Sequence, residues 1–164
     1  MRKFTLLFFL LVSYSILGQN DNNSNFWDNV RFGGGFGLGF GSNSTTISVS
    51  PSAIYEFNDM FALGLGGSYL YSKNNDLKSN VFGAGIISLF NPTQEFQLSA
   101  EFEQLFVNQK LPGFTDAKFD YPALYLGAAY RVGSFSAGLR YDVLYDGGKS
   151  IYTSAFSPIF RFYF

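Results

Sequence analysis

The chain has 164 residues, of which 20% are aromatic and only 14% are charged, and its formal net charge is −1. This length allows one domain, and the weakly negative balance excludes the basic surface that nucleic-acid binding requires. The sequence contains no cysteine and no histidine. Their absence excludes disulfides and thiolate ligands and removes the commonest general base and transition-metal ligand. We therefore predict no catalytic residue, no cofactor and no metal site.

The first residues have the pattern of a secretory signal peptide. Arg2 and Lys3 supply a positive start, and an apolar run follows that is shorter than the ~20 residues of a membrane-spanning helix. Gly18 offers a small residue for cleavage. We predict a signal peptide over residues 1–18, followed by a polar, Asn-rich segment over residues 19–28.

After residue 28, apolar and polar residues alternate through eight segments of about the length that crosses a bilayer at a tilt. Because successive side chains of a strand point to opposite faces, every segment except the fourth has one apolar and one polar or small-residue face. Predicted strands lie near residues 30–40, 46–57, 61–71, 81–90, 95–107, 121–132, 135–145 and 151–164. Both faces of the fourth segment are apolar, so its register stays open.

The predicted connections alternate in length. Those after the second, fourth and sixth strands are short, whereas residues 72–80 and 108–120 form longer polar loops, the second being the longest. Three prolines (Pro51, Pro122 and Pro158) fall inside predicted strands. Each removes a ladder hydrogen bond, so we expect bulges or strand ends at these positions.

The last strand places four phenylalanines on one face: Phe156, Phe160, Phe162 and Phe164. Ser157, Ile159, Arg161 and Tyr163 lie on the other face. One face fits lipid and the other a polar lumen. This ending resembles the terminal insertion signal of Gram-negative outer-membrane β-barrels.

Residues 29–164 as a whole resemble the small eight-stranded outer-membrane β-barrel family of the OmpA/OmpX type. The resemblance implies an all-β fold, an eight-stranded antiparallel up-and-down transmembrane barrel. It also implies export to the outer membrane of a Gram-negative bacterium, insertion by the barrel-assembly machinery and contact with outer-membrane lipid. Eight strands leave an interior filled by side chains, so a diffusion pore is not expected.

The polar faces carry charges of both signs, and a narrow interior would desolvate them unless they pair. We predict a structural charge network in the lumen that plugs the barrel. Its members are Glu56, Glu95, Glu101, Glu103, Arg131, Arg140, Asp142 and Arg161. The alternative is a catalytic carboxylate pair at Glu101 and Glu103, which lie ~7 Å apart along one strand face. No sugar cleft accompanies the pair, so the structural interpretation is preferred.

Aromatic residues near the strand ends form either a ligand-stacking cleft or interfacial girdles, and girdles are favoured. These residues are Phe40, Tyr55, Phe57, Tyr71, Phe90, Tyr145, Tyr152 and Tyr163.

Function is predicted as non-enzymatic: an envelope-structural or adhesive role in which the loops at 72–80 and 108–120 contact an unknown extracellular ligand. One alternative is an outer-membrane lipid-modifying enzyme, against which the missing histidine argues. Another is a secreted, soluble lipocalin-like barrel that binds a small apolar ligand. The last would require Phe96, Phe102, Leu139 and Phe160 to point inward and the charged residues to meet solvent.

Overall fold

The computed structural model describes residues 25–41, 44–110, 112–113, 115–148, 150–152 and 154–164. The predicted signal peptide lies outside the described residues. A short 3-10 helix, Phe26–Asn29, precedes eight strands. The strands are β1 (Val30–Gly41), β2 (Ser44–Glu56), β3 (Phe61–Asn74), β4 (Leu77–Phe90), β5 (Phe96–Lys110), β6 (Ala117–Val132), β7 (Phe135–Asp142) and β8 (Phe156–Tyr163). No helix in this part of the chain is long and apolar enough to cross a membrane.

Each strand pairs antiparallel with its neighbour in sequence, and β8 returns to pair with β1, so the sheet is a closed barrel. The predicted eight-stranded antiparallel up-and-down barrel is confirmed. One end carries the β2–β3, β4–β5 and β6–β7 turns and is called the short-turn end. The opposite end, with the remaining connections, is called the long-loop end.

Apolar side chains cover the outside of the barrel. Phe96 and Phe102 are each 44% exposed and Leu139 is 60% exposed, whereas Arg161 is only 6% exposed. A lipocalin-like barrel required the reverse orientation, so that alternative is wrong.

The predicted polar loop at 72–80 is instead a β-hairpin. β3 continues to Asn74 and β4 begins at Leu77, with Lys73 paired to Lys78 in register. Asn75 takes a φ of +53°, a left-handed conformation that asparagine tolerates in tight hairpin turns. The loop prediction failed because these strands extend beyond the apolar band, and polar residues there resemble a loop in sequence.

The β5–β6 hairpin extends in the same way, so its connection covers residues 111–116 rather than 108–120. The longest connection, residues 143–155, joins β7 to β8. The strands predicted near 135–145 and 151–164 both extended into this connection, so they were predicted too long at these ends. Asp142 ends β7: its carboxylate accepts the backbone N–H groups of Leu124 (3.2 Å) and Leu144 (3.0 Å), which turns the chain away from the ladder.

The barrel interior consists of two apolar layers with polar groups between them. The lower apolar layer, at the short-turn end, contains Ile54, Ala62, Ile87 and Leu89. The upper apolar layer, at the long-loop end, contains Leu70, Val81, Leu105, Val107, Ala123 and Tyr125. Both faces of β4 are apolar because its inward residues belong to these two layers.

The three prolines each lie where the hydrogen-bond ladder is interrupted or has ended. The β2–β3 ladder lacks register pairs at Ser50 and Pro51. Pro122 lies on β6 beyond the last pair with β7, towards the long-loop end. Pro158 lies on β8 beyond the last pair with β1, towards the same end. Their missing N–H groups therefore remove few ladder bonds, because a strand neighbour is absent or interrupted beside each of them.

Candidate functional site

Glu101 is the centre of an ion cluster in the middle of the lumen. Arg140 of β7 donates from Nη1 to Glu101 Oε2 at 3.0 Å, and Arg161 of β8 donates from Nη2 to Glu101 Oε1. Arg161 Nη2 also donates to Ser99 Oγ at 3.2 Å. The side chains of Glu101, Arg140 and Arg161 are only 14%, 19% and 7% exposed. One carboxylate therefore compensates two buried guanidinium groups.

Glu103, two residues along β5, lies beside this cluster and is held by a different partner. Ser68 of β3 donates its hydroxyl proton to Glu103 Oε1. A Cβ atom at Gly83 of β4 would collide with the same carboxylate. The glycine therefore provides the space in which the Glu103 side chain crosses β4 to reach β3.

Tyr125 connects the ion cluster to the upper apolar layer. Its ring lies under the guanidinium of Arg140, with the guanidinium carbon 4.0 Å from the ring centroid. Arg140 Nε also donates to Ser157 Oγ at 3.1 Å. Ser68, Ser99, Ser157 and Tyr125 were not predicted from the sequence as partners of these charges. Ser99 shares the inward face of β5 with Glu101, so its spacing was a usable signal.

The remaining members of the predicted charge network lie apart from the cluster. Glu56 pairs with Arg31 at 3.1 Å near the short-turn end, with side chains 34% and 46% exposed. Glu95 is exposed beside the β4–β5 turn, and its carbonyl accepts the Arg131 N–H at 2.7 Å. Arg131 Nε donates to the Gly133 carbonyl at 3.0 Å. Asp142, as described above, accepts backbone N–H groups.

These contacts leave little room for the catalytic interpretation of Glu101 and Glu103. Both oxygens of Glu101 accept from arginines, and Glu103 accepts from a serine. Within the described ranges, no group of three acidic side chains could hold a metal ion. The arrangement can bind and orient a polar group, but it offers no carboxylate free of a hydrogen-bond donor in the cluster.

The β7–β8 connection packs over the upper apolar layer at the long-loop end. Ile151 and Tyr152 pack against the upper apolar layer. Tyr121 Oη accepts the Ile151 N–H at 3.3 Å, and Tyr145 Oη donates to the Tyr152 carbonyl at 3.2 Å. Burial raises the pKa of the Tyr152 phenol to about 12.

Two predicted girdle residues therefore have other positions. Tyr152 lies in the mouth of the barrel because the connection folds inward. Tyr163 points into the lumen, where its hydroxyl lies 2.9 Å from Ser52 Oγ. Around the short-turn end, Tyr55 contacts the rings of Phe26 and Phe57, as a girdle would. The side chain of Phe40 lies outside the described residues.

The terminal phenylalanines point outward, and Phe156, Phe160, Phe162 and Phe164 are 63%, 38%, 49% and 71% exposed. Phe164 also closes the barrel, because its backbone N–H and carbonyl both bond to Phe32 of β1, at 3.0 and 3.2 Å. Their role as an insertion signal stays a prediction.

No family model matches the sequence, and no curated protein matches it. A search of solved structures found the backbone structure of the Yersinia pestis outer membrane protein Ail in a phospholipid bilayer nanodisc. It is 12% identical, with a TM-score of 0.49, over 82% of this chain and 98% of that chain.

Proposed function

We propose that this protein is an integral outer-membrane β-barrel with a plugged interior, and that it has an envelope-structural or surface-interaction role rather than a catalytic one. The observation that carries the proposal is the orientation of the side chains. Large apolar residues surround the outside of a closed barrel, while Glu101, Arg140 and Arg161 pair inside it. In water such a surface would be an aggregation hazard, whereas in lipid it is buried.

A closed barrel also satisfies its backbone groups within the sheet, which is the condition for a strand structure to span hydrocarbon. The rings of Phe26, Tyr55 and Phe57 at the short-turn end suit the membrane–water interface, where aromatic side chains are enriched. We infer that the short-turn end faces the periplasm and the long-loop end faces the outside of the cell, because outer-membrane barrels have short periplasmic turns and longer external loops.

The two apolar layers support a plugged interior. An ion entering from the long-loop end would meet Ile151 and Tyr152 above the upper layer and then the lower layer before the opposite end. Moving an ion through either layer would strip its water without replacement by polar groups. We therefore expect no steady conductance in planar bilayers.

A surface-interaction role is supported by two adjacent hairpins that extend beyond the apolar band. β3 and β4 join at residues 75–76, and β5 and β6 at residues 111–116; Lys78 of β4 pairs in register with Lys110 of β5. Lys110 and Asp116 form an ion pair of 3.5 Å near the β5–β6 tip. Together β3–β6 make a continuous ribbon, a firmer platform for a partner than separate loops.

Leu65 provides the sharpest test of the membrane location, because it is 68% exposed on the outside of β3. In a soluble barrel, Leu65→Arg would be harmless. In a bilayer it should cost about 2–4 kcal/mol if the residue lies near the midplane. The measurement is outer-membrane recovery and the heat-dependent gel shift of a folded barrel, with Asp76→Arg in the β3–β4 turn as the matched control. Normal assembly of Leu65→Arg, or recovery of the wild type without detergent, would contradict the proposal.

The surface role has its own test. Shortening the β5–β6 hairpin by replacing residues 110–116 with an Asn-Gly turn keeps Gln109 paired with Ala117 and should leave the barrel folded, because the register and the apolar layers are untouched. Cells that display this variant should lose adhesion to one another or to matrix-coated surfaces relative to wild type. Unchanged adhesion by a folded variant would leave only the envelope-structural role.

A further inference from the structure

We propose that the cavity beside the ion cluster binds an uncharged single-chain lipid, which enters from the hydrocarbon through the seam between β1 and β8. This inference goes beyond the proposed function and requires only that the barrel lies in a membrane. It rests on a short ladder at the seam, a proline that keeps this ladder from resuming, a cavity behind it and a buried donor without a partner.

The ladder that joins β1 to β8 is the shortest in the barrel. Residues Gly33–Gly35 pair with Arg161–Tyr163, and Phe32 and Phe164 exchange backbone bonds below them. β1 continues upward to Gly41, and β8 begins only at Phe156. Above Gly35, no register pair joins the described parts of the two strands.

Pro158 keeps this ladder from resuming further up, where position 158 would face Leu38 in the same register. The Tyr163 N–H donates towards β7, to the Ser134 carbonyl, while the Phe164 N–H donates to β1. Because strand residues alternate between their two neighbours, the amides of even-numbered β8 residues face β1. Position 158 is even, and proline has no N–H to give.

The backbones separate between two glycines of β1. A Cβ atom built on Gly35 would lie 2.9 Å from the Phe160 carbonyl oxygen. A Cβ atom built on Gly37 would meet only Ser48, on the other side of β1, and no atom of β8 within 4 Å. On the outer face, the rings of Phe36 and Phe160 stack with centroids 6.0 Å apart. Two movable side chains thus cover the seam above Gly35 in place of backbone hydrogen bonds.

Behind the seam lies a cavity of about 100 Å³. Its lining includes Gly37, Phe36 and Phe160 at the seam and Arg161 in the ion cluster. Arg161 is 6% exposed, yet its Nη1 has no hydrogen-bond partner in the described structure. A buried donor without an acceptor is costly, so the site favours a ligand that brings an acceptor oxygen.

The charges that line the cavity and its small volume define the class of ligand. The cavity is lined by two arginines and two glutamates, Arg140, Arg161, Glu101 and Glu103, so an anion would leave the site with excess negative charge. A carbonyl oxygen satisfies Arg161 Nη1 without that cost. The cavity accommodates only a small polar group, so the hydrocarbon chain would stay in the seam beside Phe36, Phe160 and Pro158, in contact with membrane lipid.

The experiment uses the full chain folded in phospholipid vesicles and a long-chain fatty acid methyl ester with a photoactivatable diazirine next to its ester. Adducts are mapped to single residues by mass spectrometry. The chain has no cysteine, so the double variant Phe36→Cys/Phe160→Cys can be locked across the seam by oxidation and released by reduction. The wild type should carry adducts on inward residues such as Ser48 and Ile159. The variant should carry them when reduced and lose them when oxidised.

A second pair of variants covers the case in which the disulfide does not form. Gly37→Leu fills the inner side of the seam and should abolish inward adducts. Ala100→Leu, at an exposed outward residue of β5 that does not line the cavity, should keep them. Adducts confined to outward residues such as Leu65, inward adducts that persist with the seam closed, or stronger labelling by the free acid than by the ester would each overturn the proposal.

Discussion

The guanidinium of Arg140 lies on the ring of Tyr125, with 4.0 Å between the guanidinium carbon and the ring centroid. This contact joins the ion cluster to the upper apolar layer, which otherwise offers a buried cation nothing but hydrocarbon. A cation–π contact of this kind is strongest where water is excluded. Arg140 is thus held from three sides, by Glu101, Ser157 and Tyr125.

Substitutions of Tyr125 should separate the ring from its hydroxyl. The hydroxyl is buried without a hydrogen-bond partner among the described residues, so Tyr125→Phe should keep stability or raise it by about 1 kcal/mol. Tyr125→Leu removes the ring under Arg140 and should cost about 2 kcal/mol or more. Urea unfolding in lipid vesicles measures both. Equal losses in the two variants would show that the ring does not hold Arg140.

Removing the charge of Glu101 should be far more damaging than removing that of Glu56. Glu101→Gln leaves Arg140 and Arg161 buried without a carboxylate bonded to either, which should cost about 3–5 kcal/mol. Glu56→Gln breaks the exposed pair with Arg31 and should cost at most about 1 kcal/mol. Unfolding midpoints of the two variants provide the comparison. Similar midpoints would mean that the cluster contributes no more than a surface ion pair.

The docking of the β7–β8 connection should weaken at high pH. Burial raises the pKa of Tyr152 from the ordinary 10.0 to about 12. The docked loop therefore holds the phenolic proton more tightly than the undocked loop. Its stabilisation is complete below pH 10 and is lost as pH rises through 12. The difference in phenolate absorbance between wild type and Tyr152→Phe isolates this titration. A midpoint near the ordinary tyrosine value would show that Tyr152 is not buried in the mouth.

Lys78 should be an unfavourable residue for the protruding ribbon. It lies directly opposite Lys73 on one side and Lys110 on the other. Like charges opposite each other across a ladder are destabilising. Lys78→Glu replaces two repulsions by two attractions, each worth about 0.2–1 kcal/mol, and should slow amide hydrogen exchange at the hairpin tips. Lys118→Glu, opposite Asn108, is the control and should have a smaller effect. Faster exchange in Lys78→Glu would contradict this expectation.

The alternation of apolar and polar residues was sufficient to predict the number, order and outward face of the strands. It failed at residues 72–80 because a strand that leaves the apolar band loses its apolar face. It failed again at Tyr152, since an aromatic residue near a strand end can lie either on the outside of the barrel at the membrane interface or inside its mouth. For the ion cluster, the parity of β5, β7 and β8 placed Glu101, Arg140 and Arg161 in one lumen. Which of these side chains contact each other depends on how far each strand is shifted along its neighbours. The alternation of residues along a strand gives no information about that shift.

Phe164 should have two separable roles. Its backbone completes the bonds to Phe32 that close the barrel, while its side chain belongs to the predicted insertion signal. Deleting Phe164 should therefore lower both stability in vesicles and outer-membrane levels in cells. Phe164→Ala keeps the backbone bonds, so it should fold normally from urea into vesicles but accumulate poorly in cells. Phe135→Ala, at an outward residue that is 39% exposed, controls for the loss of one lipid-facing ring. If Phe164→Ala reaches the outer membrane as well as Phe135→Ala does, the terminal ring is not read as a signal during assembly.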